Sequence, residues 1–192
     1  MRYREKWPEY SKQCDTMAIK PERKVEFEKY ARFAIDHKSQ YLEVANATGV
    51  QWYHIAVIHR RESDASFSTY LGNGQSLSRV TTEVPAGRGP FTGPKAFFDG
   101  CCDALHLDGL DKVVPPWPLE KILYWCEVFN GSGYHSKGLP SPYIFGGTTI
   151  QRPGKYIADH VFAPNVWDTQ PGCAGILWMI GYLDNITFPR ES

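Results

Sequence analysis

The sequence predicts a mostly α domain of the α+β class, with a small β or loop insert. Two observations carry this. A series of stretches places apolar residues at helical spacing between recognisable start and stop signals. After the third of them, residues 68–94 lose that period and become rich in turn residues. A chain of 192 residues without an internal repeat suits one domain. Residues 1–20, polar and aromatic by turns, read as an N-terminal arm, and residues 21–192 as a single domain.

Taken in order, Pro21 suits the first position of a helix, where its missing N–H costs nothing. "PERKVEFEKYARFAIDHK" then places Val25, Phe27, Ala31, Ala34 and Ile35 roughly on one side. "SQYLEVANATG" reads as a second helix, with Ser39 as its N-cap and Gly49 as its stop. "VQWYHIAVIHRRES" is apolar on most sides, which predicts a central helix. In the insert, "YLGNGQ" and "PAGRGPFTGP" are turns, and "SLSRVTTEV" is expected to form a short strand or hairpin. "PKAFFDGCCDALHL" resumes a helix that Pro94 opens, and "PLEKILYWCEVFN" forms another that Gly131 ends. A long irregular segment follows to residue 154. "KYIADHVFAP" reads as a short helix and "GCAGILWMIGYLDNI" as a buried closing one.

Charge and composition exclude several classes. Lys plus Arg equals Asp plus Glu at 21 each, so the basic excess that nucleic-acid binding needs is missing. No run approaches the ~18 apolar residues of a membrane span. The first fifteen residues have no apolar core, so no secretory leader is expected. Cys14, Cys101, Cys102, Cys126 and Cys173 are odd in number and unpaired in spacing, which fits reduced thiols in the cytoplasm. His54 and His59 are five apart, not the i, i+4 of a helical metal pair, and His106, His135 and His160 are isolated. No metal and no cofactor are expected.

The residue that stands out is Glu62. On a regular helix it shares a face with Ile55 and Ile58, so a carboxyl ends an apolar stripe. Partial burial disfavours the charged form and suits a general acid. The competing reading pairs Glu62 with Arg60, Arg61 or His59.

The segments in chain order carry a resemblance. "IHRRESDASF" resembles the stretch around the catalytic glutamate of goose-type lysozymes and lytic transglycosylases. "FNGSGY" is similar to their Tyr-Asn-Ala-Gly segment, and "KYIADHVF" to a later helix bearing a substrate-facing tyrosine. "HRRES", "GRGPF", "SPY" and "GKY" also look like short phage-type lysozymes. The resemblance implies a lysozyme-like fold with the insert beside a cleft. It implies a peptidoglycan-cleaving glycosidase acting as a monomer on glycan strands, an endolysin held in the host cytoplasm before release. Glu62 would be the acid, with Asn130, Gly131 and Tyr156 lining the cleft. Phe129 stands where the family has its first tyrosine, and the family's aspartates after the glutamate are not reproduced.

A second carboxylate, if used, is Glu83 or Asp64, and Thr81 and Thr82 are candidates to orient a water by hydroxyls. His59 is a candidate neighbour of the acid, and Tyr134 and Tyr143 are candidate stacking faces for sugars. A lytic transglycosylase or chitinase-like enzyme on the same scaffold, or a non-catalytic glycan-binding or virion structural protein, are the alternatives.

Overall fold

The computed structural model describes residues 2–158 and 161–191. The chain is mostly helical with one small antiparallel sheet, and it divides into two compact units. Phe33–Pro116 forms one of them, and Met1–Arg32 with Trp117–Ser192 forms the other. The sequence reading, which took 21–192 as one domain, drew no boundary there.

The first unit in space is built from its chain ends. Residues 3–16, within the N-terminal arm the sequence suggests, form helix α1 (Tyr3–Thr16), packed on α6 (Leu119–Asn130). Pro8 sits inside α1 and its chain is polar, which together hid the helix. One face is nevertheless buried: Tyr10 is enclosed and its hydroxyl donates to the Glu127 carboxylate of α6. Pro21–Arg23 is a single 3-10 turn that opens α2 (Lys24–Asp36), which runs on into the other unit. The irregular segment after α6 contains a four-residue helix, α7 (Pro142–Phe145), beside the buried closing helix α8 (Cys173–Leu183).

Close packing around α8 relies on glycine. The Phe27 ring lies so near Gly175 that a methyl group there would sit 2.4 Å from it. Glu120, fully buried at the start of α6, is clasped by Arg190 Nε at 2.6 Å and by the Glu191 amide at 3.0 Å. That pair fixes the C-terminal strand of chain onto α6.

The described part of "KYIADHVFAP" is not helical. It forms β1 (Lys155–Ala158) and β2 (Val161–Ala163), paired antiparallel with Tyr156 opposite Phe162. Tyr, Ile, Val and Phe favour a pleated, half-buried surface, and that preference outweighs a short apolar period. His160 and Asp159 lie outside the described residues.

The other unit is centred on α4 (Trp52–Ser63), flanked by α3 (Lys38–Thr48) and α5 (Ala96–Leu107). Helix α3 touches both. Every residue of α4 from Trp52 to Arg60 is buried, as its all-round apolar sequence predicts. Gly49 ends α3 in the left-handed region at φ 76°, its amide bonded to Ala45. Ser39 lies inside α3 rather than at its N-cap, which falls on His37. "SLSRVTTEV" forms no strand; the insert holds one isolated bridge, Thr69 to Ser76. No helix among the described residues is long and apolar enough to cross a membrane.

His59, expected as a neighbour of the acid, is a packing residue. It is fully buried, among Tyr41, Phe67 and Phe97. Its Nε2–H donates to the Ser66 carbonyl at 3.0 Å, which leaves Nδ1 to accept from the Tyr41 hydroxyl at 2.8 Å. Burial first, with nearby His37, pushes its pKa down to about 4. Burial takes His54 in the same direction, to about 3. Unfolded, a histidine protonates near 6.5, so between pH 6.5 and 4 the unfolded chain binds more protons than the fold. Stability is therefore full above pH 6.5 and falls with acidification. His59 alone is expected to account for about 3 kcal/mol across that window. Urea unfolding at pH 7, 5.5 and 4 checks this: wild type loses stability steadily, and His59→Gln loses it with a shallower slope.

Candidate functional site

The expected site residues divide between the two units. Glu62, His59, Asp64, Thr81, Thr82 and Glu83 lie in Phe33–Pro116, and Asn130, Gly131, Tyr134, Tyr143 and Tyr156 lie in the other.

Glu62 is half-buried in the last turn of α4, where the burial of Trp52–Arg60 begins to lift. Ser63 bonds back to the His59 carbonyl, closing the helix. The next two residues, Asp64 and Ala65, both adopt left-handed backbone at φ 53° and 57°. Neither is glycine, and such conformations cost roughly 1–2 kcal/mol per residue. Asp64 caps the helix, and its exposed carboxylate pairs with Arg60 at 2.6 Å. Of the two candidates for a second carboxylate, Asp64 is thus already engaged by a guanidinium.

The insert is bound to the end of α4 through a tight turn. Gly74, at φ +72°, lies against Glu62: a Cβ there would be 2.7 Å from the Glu62 carbonyl oxygen. Its amide donates to Tyr70 O at 2.8 Å. From this turn, two side chains hold the far limb of the insert. Gln75 Oε1 accepts the amides of Thr82 and Glu83 at 2.7 and 3.2 Å, and its Nε2 donates to Thr82 Oγ1 at 3.0 Å. Asn73 Nδ2 donates to the Glu83 carbonyl at 3.1 Å. The insert is therefore ordered by side-chain to backbone bonds, where a strand would use a ladder.

Gly74→Ala is expected to cost about 2–3 kcal/mol, from left-handed strain plus a forced shift of the Glu62 carbonyl. Chemical denaturation would read the loss; an unchanged midpoint would show that the turn does not bear on Glu62.

Thr81 and Thr82 differ. Thr81 is buried; its hydroxyl donates to Pro85 O at 2.7 Å and accepts from the Arg88 amide at 2.9 Å. It pins the 81–88 loop, so it is a structural group rather than a holder of water. Thr82 and Glu83 are exposed, and the Glu83 carboxylate makes no ion pair among the described residues. A second anchor ties the insert to α5. Arg88 forms a fork on Asp103, with Nε to Oδ2 at 2.9 Å, and the Tyr70 hydroxyl donates to the same oxygen at 2.8 Å. Burial alone would raise the Asp103 pKa, but the hydrogen bonds from Arg88 and Tyr70 outweigh it and hold the carboxyl below the usual range.

In the other unit the structure brings two of the expected residues, Tyr134 and Tyr156, together. Gly131 ends α6 at φ 91°, with Asn130 exposed beside it. Past the turn, the Tyr134 hydroxyl accepts the Tyr156 amide at 3.1 Å, and the two rings meet edge-on at 5.2 Å. The Tyr156 hydroxyl donates to Gly133 O at 3.4 Å. Phe162, across the hairpin, closes the cluster at 5.2 Å from Tyr156, and Lys137 Nζ sits 4.4 Å over its ring. Tyr156 thus stands on a strand and not on the helix expected for it. Tyr134 and Tyr143 are 6% and 3% exposed, so neither offers the open stacking face expected. Their rings are core, which an aromatic in a loop most often is when the loop is ordered. Half-buried Tyr156 keeps some exposure.

Sequence reasoning missed Asn73, Gly74, Gln75, Phe162 and Lys137. Of these, Gly74 lay in a stretch read as a turn and Phe162 in a run of β-favouring residues; the others had no local signal. Lys155, on β1, pairs at 2.9 Å with buried Asp168. The described residues hold no His, Cys, Asp and Glu group able to bind a metal, and none of their cysteines is in a disulfide.

No family model matches the chain, and neither a curated protein nor a solved structure matches it.

Proposed function

We propose that the protein is a glycoside hydrolase of the lysozyme type. Its substrate is the β-1,4 bond between N-acetylmuramic acid and N-acetylglucosamine in peptidoglycan, and Glu62 is its general acid. One local observation supports this most: a half-buried carboxyl lies in the last turn of a helix enclosed from Trp52 to Arg60, with left-handed Asp64 and Ala65 after it and Gly74 packed on its main chain. Strained backbone around a partly buried carboxyl is how a fold holds an acid in place.

In the reaction, Glu62 gives its proton to the bridging oxygen as the bond to the sugar breaks and positive charge develops on the ring. Water attacks the anomeric carbon and loses a proton to a carboxylate. Glu83 fits that role better than Asp64, because it is exposed and carries no ion pair, whereas Asp64 is held by Arg60. The lysozyme-like fold, the action on wall glycan and the endolysin role belong to this same proposal.

Loss of turbidity of outer-membrane-permeabilised Gram-negative cells tests it. Purified protein is expected to clear them; cells that stay turbid at micromolar protein would sink the reading.

A further inference from the structure

The insert carries a cavity of about 270 Å³ lined by Gln75, Ser76, Arg79, Val80 and Thr82. Its floor is rigid for the reason given above: the Gln75 amide is bonded on both sides to Thr82 and Glu83. Ser76 Oγ is bonded to Ser78 Oγ at 3.0 Å. Arg79 differs from the other lining groups. It is exposed, and its guanidinium makes no hydrogen bond or ion pair among the described residues. The three other arginines of this unit are engaged: Arg60 by Asp64, Arg88 by Asp103, and Arg61 also has a partner.

A free planar fork of donors beside hydroxyls and one aliphatic wall fits one ligand chemistry. Arginine binds carboxylates through two parallel bonds, and the Thr82 and Ser76 hydroxyls add donors at the same rim. Val80, 51% exposed, offers a small apolar contact. N-acetylglucosamine units offer Arg79 only neutral acceptors, and no counter-charge for its fork. Glycan strands of peptidoglycan carry short peptides that end in carboxylates next to a methyl group.

We propose that this cavity is a subsite for the carboxylate of a short, small-side-chain peptide attached to the glycan. The inference rests on the wall-glycan reading and deepens it: it makes the protein a reader of peptide-bearing strands rather than of plain amino-sugar polymer. Binding is carried by Arg79, is oriented by Thr82 and Ser76, and weakens with salt because the site is open to solvent.

The test is a titration of the full chain, followed by NMR of arginine side chains, with N-acetyl-D-alanine and with its uncharged methylamide as probes. The acid is expected to shift the Arg79 signal and to bind at least tenfold tighter than the amide. Arg79→Gln is expected to lose that preference, and Arg79→Lys to keep part of it, since it keeps the charge without the fork. Equal binding of acid and amide, or full binding by Arg79→Gln, would overturn the subsite. This reading needs no bond cleavage, so its failure is separate from that of the glycosidase proposal. Cells left turbid by wild type sink the latter, and a silent titration beside normal clearing sinks only the former.

Discussion

Glu62→Gln is expected to fold as wild type does and to lose about 10²–10⁴-fold in the rate of glycan cleavage, the typical contribution of a general acid. Glutamine keeps the size of the side chain and two polar ends, but its amide cannot protonate a leaving oxygen. The change falls at a half-buried position at the end of α4, so packing is little altered. A midpoint within about 2 °C of wild type is expected. Sedimentation with insoluble wall should show binding retained. A rate within threefold of wild type would remove Glu62 from the chemistry and return it to the reading in which it only closes a helix.

Gly172→Ala is expected to have the largest effect on stability of any single methyl added to the chain. A Cβ at Gly172 would stand 2.3 Å from the Ile144 carbonyl oxygen and 2.5 Å from the Gly146 amide. Both are backbone atoms, and the Gly172 amide itself bonds Gly146 O at 2.8 Å. Its own φ of −81° is open to alanine, so the penalty is contact and not conformation. Relief requires α7 to part from the start of α8. A loss of at least about 3 kcal/mol is expected, or roughly 10 °C in a chain of this size. Gly100→Ala is the contrast. There the nearest atom, at 2.5 Å, is the rotatable tip of Leu77, and alanine improves helix α5. Thermal melts of the two variants should differ widely; equal melts would mean that the Gly146–Gly172 contact is not tight.

The helices that could be read in the sequence share one property: their apolar period and end signals agree. Helix α4, enclosed on all sides, and Gly49 at the end of α3 are examples. Helix α1 was hidden because its burial depends on a partner, α6, more than a hundred residues away, while Pro8 reads as a breaker. The strands Lys155–Ala158 and Val161–Ala163 were misread because short apolar runs fit either period, and their pairing with each other decided it. At the proposed site, the place of Glu62 at the end of an apolar stripe could be read from the sequence. What surrounds it could not. Gln75 and Asn73 act through bonds to backbone ten or fewer residues on, and no spacing rule encodes such bonds. The same holds for Thr81, whose hydroxyl looked available for water and is spent on Pro85 and Arg88. Tyr134 and Tyr143 were read as faces for sugars because they sit in a long glycine-rich segment. Loop position predicts neither exposure nor burial when the loop packs as tightly as this one.

Mass spectrometry of purified peptidoglycan digested by the wild-type chain tests the glycosidase claim most directly. Soluble fragments with new reducing N-acetylmuramic acid ends, absent with Glu62→Gln, are the predicted result. Anhydro ends would keep Glu62 as the acid but replace water by the sugar's own hydroxyl. No new ends of either kind, at protein equimolar with the glycan strands, would contradict the account.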